Sequence, residues 1–222
     1  MIQWSPILLS LKVSAIATLV AAVVGIILAI LLATRKFPGR DLLDVLFTVP
    51  MILPPTVLGY YVLVAVGRRS FIGGVWEDIF GSPIVFTQTG AVLAAMLGAL
   101  PFVVKSSRTA FEGVPPVLVQ AARTLGANRL RVFWTVRIPL AWPGIMAGIM
   151  LGFARALGDF GATLMVAGNI PGKTQTASLA IYDAIQANRE REALAMIVVL
   201  TAVAVFMLYA ANKLTGKPHS HA

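Results

Sequence analysis

A polar segment near the middle of the chain reads Val119-Gln120-Ala121-Ala122-Arg123-Thr124-Leu125-Gly126 and, after two residues, Arg129-Leu130-Arg131-Val132-Phe133-Trp134-Thr135-Val136-Arg137-Ile138-Pro139. It is the most polar long segment of a very apolar chain, and the region from Lys105 to Arg137 holds six of the 18 basic residues. In a membrane protein such a segment must face water, and its excess of Lys and Arg favours the cytoplasmic side. The segment is therefore predicted to meet a cytoplasmic partner.

The local sequence of this segment predicts a short helix-turn-helix lying flat beneath the membrane. Gln120 to Leu125 contains good helix formers, and its two alanines are small enough to let another surface approach closely. Gly126 supplies a turn where a positive φ costs little, and Pro139 is able to restart a helix at its first turn. An ordinary amphipathic surface helix is the alternative interpretation of the same pattern.

The composition places the chain among integral membrane proteins. Of its 222 residues 58% are hydrophobic and only 12% are charged. The net charge of +9 comes from basic residues that flank apolar runs, which indicates retention of cytoplasmic loops and argues against nucleic-acid binding. The chain has no cysteine, no metal-ligand cluster and no glycine-rich phosphate loop. We therefore expect no catalytic residue, no metal site and no cofactor, and an ATPase would have to be another subunit.

Five apolar stretches are long enough to cross a bilayer core of about 30 Å. The predicted transmembrane domain covers residues 7–214, with a cytoplasmic tail at 215–222 and a cytoplasmic loop at 109–139. Basic residues after the first and fifth spans, Arg35, Lys36 and Arg40, then Lys213 and Lys217, predict an external amino terminus and a cytoplasmic carboxyl terminus. The predicted spans are about 10–34, 42–66, 88–108, 140–166 and 193–214.

The second span is interrupted by prolines. Its middle reads Pro50-Met51-Ile52-Leu53-Pro54-Pro55-Thr56, where three amide donors are missing, so an unbroken helix is not expected. Carbonyls freed inside a membrane must be buried in protein or face a wet cavity. The break has two possible interpretations, a kink that serves packing and a break that lines a translocation pathway. The pathway candidates here are Thr48, Pro50, Pro54, Pro55 and Thr56.

The fourth span combines small residues with a charged pair. Gly144, Gly148 and Gly152 lie on one helical face and are predicted to pack closely against another helix. Arg155 and Asp159 are four residues apart and so neighbours, which favours an ion pair in the membrane. An arginine that faces a passing anion is the alternative. Gly158 and Gly161 weaken the helix beside this pair. The pathway candidates in this span are Arg155, Gly158, Asp159 and Gly161.

The central segment resembles the "EAA" loop of binding-protein-dependent ABC importer permeases. The matching pattern is Ala121-Ala122, three residues, Gly126, nine residues, then Val136-x-Ile138-Pro139. Gln120 stands where that pattern has Glu, and Val136 and Ile138 replace Ile and Leu. The residues that the resemblance assigns to coupling with an ATPase are Gln120, Ala121, Ala122, Arg123, Thr124, Leu125, Gly126, Val136, Ile138 and Pro139.

Much of the remaining chain, from Leu9 to about Leu214, resembles molybdate ABC importer permeases. Asp159 lies where these proteins are expected to have Glu. The segments that carry the resemblance are Lys36-Phe37-Pro38-Gly39, Val49-Pro50 with Leu53-Pro54-Pro55, Ala121 to Gly126, Arg131-Val132-Phe133, Ala154-Arg155 with Gly158 to Ala162, and Asn169-Ile170-Pro171-Gly172.

The resemblance implies a five-helix type I ABC importer permease fold in the bacterial inner membrane. It also implies a homodimer, two cytoplasmic ATPase subunits that bind ATP and Mg²⁺, and a periplasmic molybdate-binding protein. The resemblance does not distinguish molybdate from tungstate as the substrate, because the two anions are nearly equal in size and charge. A permease for sulfate or another small solute is the alternative function. A secondary transporter and a non-transport scaffold are rivals of another class. The lack of an inverted repeat and the scarcity of ionisable groups in the spans count against a secondary transporter.

Overall fold

A computed structural model describes residues 4–34 and 37–215, and within these ranges the chain folds into helices joined by short connections. Three basic residues that were used to predict the orientation lie outside the described part, namely Arg35, Lys36 and Lys217. The helices are α1 (Trp4–Thr34), α2 (Arg40–Ile52), α3 (Pro55–Val66), α4 (Phe71–Phe80), α5 (Gln88–Glu112), α6 (Pro116–Thr124), α7 (Arg129–Val132), α8 (Ile138–Leu157), α9 (Gly161–Ala167), α10 (Ala177–Gln186) and α11 (Glu190–Thr215), with a π-helical turn at Phe133–Arg137.

Four of these helices are long and apolar enough to cross a bilayer. They are α1, α5, the continuous helix from Arg129 to Leu157, and α11 up to Ala210. The bent pair α2 and α3 passes the same test together and gives a fifth crossing if it is counted as one span. The predicted all-helical, five-span fold class is confirmed.

Helix α5 lies at the centre and packs against α1 on one side and α8 on the other. Glycines on α8 bring the two backbones close together: a Cβ atom built on Gly148 would lie 2.8 Å from the Cβ of Ser106, and one on Gly144 only 2.5 Å from that of Ala110. Gly152 lies in the same row, against Val103. In lipid, where the hydrophobic drive between helices is absent, this close van der Waals fit holds helices together.

The second span breaks at Leu53 and Pro54, as predicted from the prolines. Both residues are extended, with ψ of 140° and 136°, because a residue that precedes proline is pushed out of the α region. Pro50 does not break the helix and lies inside α2. The chain consequently bends by 118° between α2 and α3.

The fourth span begins earlier than predicted. Pro139 does not restart a helix, because the helix from Arg129 runs through it without interruption. The π turn makes this possible: the amide of Ile138 donates to the carbonyl of Phe133, five residues back. Pro139, which has no N–H to offer, follows directly and lies within the first turn of α8.

The fourth span also ends earlier than the predicted 140–166. Helix α8 stops at Leu157, and after Gly158, Asp159 and Phe160 the short helix α9 begins. Asp159 accounts for the restart because its carboxylate accepts a hydrogen bond from the amide of Thr163 at 2.8 Å. It thereby satisfies one of the unpaired donors of the new helix.

Two other helices extend past the predicted spans. Helix α1 is described from Trp4, and Pro6 lies in its first described turn, where a missing N–H leaves no bond unmade. Helix α5 continues to Glu112, and an Arg108–Glu112 pair of 2.9 Å links its last turns. Near the opposite end of α5, Lys12 on α1 donates to Gln88 at 3.0 Å.

The segment between α3 and α5 contains α4. Arg68, whose charge disagrees with the positive-inside pattern, is paired with Glu77 of α4. The hydrogen bond from Arg68 lowers the pKa of the Glu77 carboxyl below its usual value. The pair is exposed, so its contribution to stability is small. Another short helix, α10, contains Ile181, Tyr182 and Ile185.

Candidate coupling surface and translocation pathway

Helix α6 presents most of the predicted coupling residues to solvent. One face of the helix is anchored: Val119 is buried, and Ala122 is half-buried beside it in an apolar cluster with Val132 and Ile145. The exposed residues form a continuous surface that includes Leu125, which is 88% exposed. They are Gln120, Ala121, Arg123, Thr124, Leu125 and Gly126.

The turn after α6 is a helix C-cap of the Schellman type. The amide of Gly126 donates to the carbonyl of Arg123 at 2.9 Å, and the amide of Ala127 donates to that of Ala122 at 3.1 Å. This pattern requires a left-handed residue, and Gly126 has φ of +81°. Asn128 then accepts a hydrogen bond from the amide of Arg131 and starts α7. The turn fixes the angle at which α6 leaves the bundle.

The second part of the predicted coupling set lies beneath the first. Val136 and Ile138 are half-buried and pack into the same apolar cluster as Val119 and Ala122. Pro139 is exposed at the start of α8. These residues therefore support α6, while the exposed surface available to a partner lies on α6 and its turn.

The two breaks predicted separately in the second and fourth spans touch each other. A Cβ atom built on Gly161, at the start of α9, would lie 3.1 Å from the Cγ2 of Thr56 and 3.2 Å from the Cβ of Pro55. One turn further along α3, a Cβ atom on Gly59 would lie 2.8 Å from the Cα of Ala162. Each break exposes polar backbone, so their contact places two interrupted helices side by side within the bundle.

A charged pair lies next to this junction. Nη1 of Arg155 is 3.0 Å from Oδ1 of Asp159. The other carboxylate oxygen of Asp159 accepts from both the amide and the hydroxyl of Thr163, at 2.8 and 2.7 Å. Asp159 is therefore fully bonded and is only 3% exposed.

The guanidinium of Arg155 lies over Gly98 of α5. A Cβ atom on Gly98 would be 3.4 Å from Nη2 of Arg155, an ordinary van der Waals distance, so the guanidinium lies directly against α5. A quarter of the Arg155 side chain remains exposed. The arginine thus joins α5, α8 and the start of α9, and its outer edge is open to solvent or to an anion.

The remaining pathway candidates form two pairs. Thr48 and Pro50 lie on α2, before the break, and the hydroxyl of Thr48 donates to the carbonyl of Asp44 within its own helix at 2.6 Å. Pro54 and Gly158 are exposed at the two breaks. In the described residues 4–34 and 37–215, no group of three or more His, Cys, Asp or Glu side chains is placed to hold a metal ion.

Comparison with known families identifies the architecture. Residues 21–217 match the family described as "Binding-protein-dependent transport system inner membrane component". The chain belongs to this family. It is therefore a multi-pass inner-membrane permease of an ABC transport system, a class that works with ATPase subunits and a binding protein.

Several curated relatives of this permease have related names. The chain is 50% identical over 184 residues to the molybdenum transport system permease protein ModB of Escherichia coli K12, which covers 83% of this chain and 80% of that protein. It is 40% identical over 206 residues to the putative molybdenum transport system permease protein YvgM of Bacillus subtilis, covering 93% and 91%. The sulfate transport system permease protein CysT of E. coli is more distant, at 34% over 202 residues, covering 91% and 73%.

Solved structures show the same fold for the permease at much lower identity. A bacterial ABC transporter that imports the polysaccharide alginate matches with a TM-score of 0.73, covering 95% of this chain and 78% of that one at 16% identity. At this identity the likeness shows the fold alone, and it is the type I ABC importer permease fold.

The structure also shows an ion network in the permease that the sequence did not reveal. Asp44 of α2 lies between two cations of α5, 2.7 Å from Nζ of Lys105 and 2.7 Å from Nη1 of Arg108. Glu112 is shared by Arg108 and by Arg40 at the start of α2. The partners are about 60 to 70 residues apart in sequence, so no local spacing signals them. The network attaches α2, which has no buried residue of its own, to α5.

Replacing Asp44 by asparagine should loosen α2. The change removes the negative charge that pairs with Lys105 and Arg108, and because these side chains are partly exposed we expect a loss of about 1 kcal/mol. That corresponds to a fall in melting temperature of about 2–4 °C for a chain of this size. Asp41→Asn, in the same helix but exposed, is the matched control. Equal melting temperatures for the two variants would show that the network does not hold α2.

Proposed function

We propose that this chain is the membrane permease subunit of an ATP-driven importer that moves molybdate from the periplasm to the cytoplasm. The observation that carries the proposal is the 50% identity to the E. coli molybdenum permease over most of both chains. The likeness to the sulfate permease is weaker and covers less of that protein, so it favours molybdate over sulfate. Tungstate, of the same charge and nearly the same size, would use the same route.

The proposed assembly contains two copies of this chain, two cytoplasmic ATPase subunits that bind ATP and Mg²⁺, and a periplasmic molybdate-binding protein. The family description, a component of a binding-protein-dependent transport system, supports these partners. The basic residues of the loop that contains α6 and α7 support its placement in the cytoplasm, with the amino terminus outside. This chain carries no catalytic group in the proposal, and hydrolysis belongs to the ATPase subunits.

In this proposal the ATPase contacts the exposed face of α6 from Gln120 to Gly126. The apolar cluster beneath α6 packs the helix against the bundle, and the Schellman turn at Gly126 fixes its connection to α7, so α6 should move as a rigid unit. Movement of the ATPase subunits would pass through α6 to α5 and α8. The two copies would then alternate between inward-open and outward-open arrangements.

The anion would cross beside the junction of the two breaks. A doubly charged oxyanion in a low-dielectric region needs donors and must avoid carboxylates. Asp159 suits this requirement because Arg155 and Thr163 occupy both of its oxygens. The chain offers several donors and dipoles there. They are the backbone groups freed at Pro54–Pro55 and at Gly158 to Gly161, the hydroxyl of Thr56 and the outer edge of Arg155.

The proposal is tested by ATP-dependent uptake into vesicles that contain this chain, its ATPase and the binding protein. Molybdate should accumulate only when all three proteins and ATP are present, and sulfate should accumulate more slowly. Accumulation of sulfate or an amino acid in preference to molybdate would refute the substrate but leave the importer class in place. Uptake by this chain without the ATPase would instead support a secondary transporter.

A further inference from the structure

A basic pocket lies at the end of the bundle that carries α6. It has a volume of about 390 Å³, within the range of about 300–1,000 Å³ typical of small-ligand sites. Three of its six lining residues are arginines, which come from α6, α7 and the π turn. The lining residues are Thr34, Arg123, Arg129, Val132, Phe133 and Arg137.

The positive charge of this pocket is not neutralised within the described part of the chain. None of the ion pairs formed by residues 4–34 and 37–215 includes Arg123, Arg129 or Arg137. An adjoining cavity of about 360 Å³ shares Arg123 and Arg137 and is also lined by Glu112. That carboxylate is already bonded by Arg40 and Arg108. The pocket therefore favours an anion supplied from outside the chain.

The position of the pocket is that of a membrane surface. Thr34 is the last residue of the 31-residue apolar helix α1, so the pocket begins where α1 leaves the apolar layer. On the continuous helix that starts at α7, Trp134 and Trp142 are 61% and 54% exposed. Exposed tryptophans are enriched at membrane–water interfaces. The lining combines the apolar side chains of Val132 and Phe133 with the three arginines.

We propose that this pocket binds the head group of an anionic phospholipid. Guanidinium groups bind phosphate oxygens in a bidentate manner. An arginine-rich pocket at the end of an apolar helix, beside exposed tryptophans, matches a phosphate head group whose acyl chains lie in the membrane. Basic pockets between transmembrane helices are a known form of lipid recognition. Lipid binding requires only that the pocket lies at a membrane surface. If the chain is oriented as in the proposed function, the lipid belongs to the cytoplasmic leaflet.

Arg129 and Arg137 separate this proposal from ATPase docking. Neither belongs to the predicted coupling set, whereas Arg123 does. Arg131 provides a matched control, because it lies on α7 between the two, is exposed like Arg129, and does not line the pocket. Comparing Arg129→Gln/Arg137→Gln with Arg131→Gln therefore tests position in addition to charge.

The experiment titrates the purified complex of this chain and its ATPase with dioleoylphosphatidylglycerol or dioleoylphosphatidylcholine and counts bound lipids by native mass spectrometry. Wild type should bind phosphatidylglycerol at least about tenfold more tightly than phosphatidylcholine. Since one basic residue near the surface is worth about a fivefold change in affinity, the double variant should lose about 25-fold and Arg131→Gln less than about twofold. Each single variant should lose about fivefold, which keeps the test available if the double variant does not assemble.

Three outcomes would overturn the proposal. Equal losses for Arg131→Gln and the pocket variants would show that only general surface charge is sensed. Displacement of the lipid by inorganic phosphate at equal concentration would assign the pocket to a free anion. Unchanged lipid binding with loss of co-purified ATPase would assign the arginines to the subunit contact. Failure of molybdate uptake would leave the lipid result unaffected, because binding is measured without transport.

Discussion

Replacing Gly126 by valine should remove most molybdate uptake while the subunit still inserts into the membrane. Gly126 has φ of +81°, and a left-handed conformation costs a β-branched residue about 1–3 kcal/mol. The space around it is open, since a Cβ atom there would meet nothing within 4 Å. The penalty therefore falls on the backbone alone, and the Schellman turn that sets the direction of α6 should open.

The measurements for Gly126→Val are uptake and the stimulation of ATP hydrolysis by the binding protein. Gly172→Val is the matched control, because Gly172 has φ of +74° and equally open surroundings but lies in the turn after α9, far from α6 in the chain. Gly126→Asn should retain most activity, since asparagine tolerates the left-handed region. Normal uptake and normal stimulation in Gly126→Val would show that the docking surface is elsewhere.

The exposed helix α6 with its glycine turn and the broken second span could be predicted from sequence because their causes are local. A glycine after a helix-forming run signals a left-handed cap, and two consecutive prolines push Leu53 and Pro54 into extended conformations. Both features depend on neighbours within four or five residues. The charged pair of Arg155 and Asp159 is equally local, at a spacing of one helical turn.

The remaining features depend on contacts between distant parts of the chain. Nothing near Gly161 indicates that it would lie against Pro55, and nothing near Asp44 indicates that it would lie between two cations of α5. The restart at Pro139 was wrongly predicted because the helix absorbs the proline with a π turn. An unusual hydrogen-bond register of this kind has no dependable sequence signal.

Replacing Arg155 by glutamine should reduce the amount of folded permease more than it reduces transport per folded molecule. The change leaves Asp159 buried with one oxygen unpaired, and a stranded charge of this kind costs about 1–3 kcal/mol. Asp159→Asn should cost a similar amount, because it leaves Arg155 without its counter-ion and weakens the bonds to Thr163 that start α9.

The double variant Arg155→Gln/Asp159→Asn distinguishes a structural pair from an anion site. It restores neutrality, and its two amides are able to bond to each other, so assembly should recover toward the wild-type level. Arg189→Gln is the matched control: it breaks the partly exposed Arg189–Glu192 pair of 3.0 Å, and such surface pairs contribute about 0–1 kcal/mol. The readouts are the yield and melting temperature of the purified subunit and molybdate uptake per folded molecule. If Arg155→Gln assembles normally yet loses uptake, the pair is not structural, and the open edge of the guanidinium over Gly98 is then the contact for the passing anion.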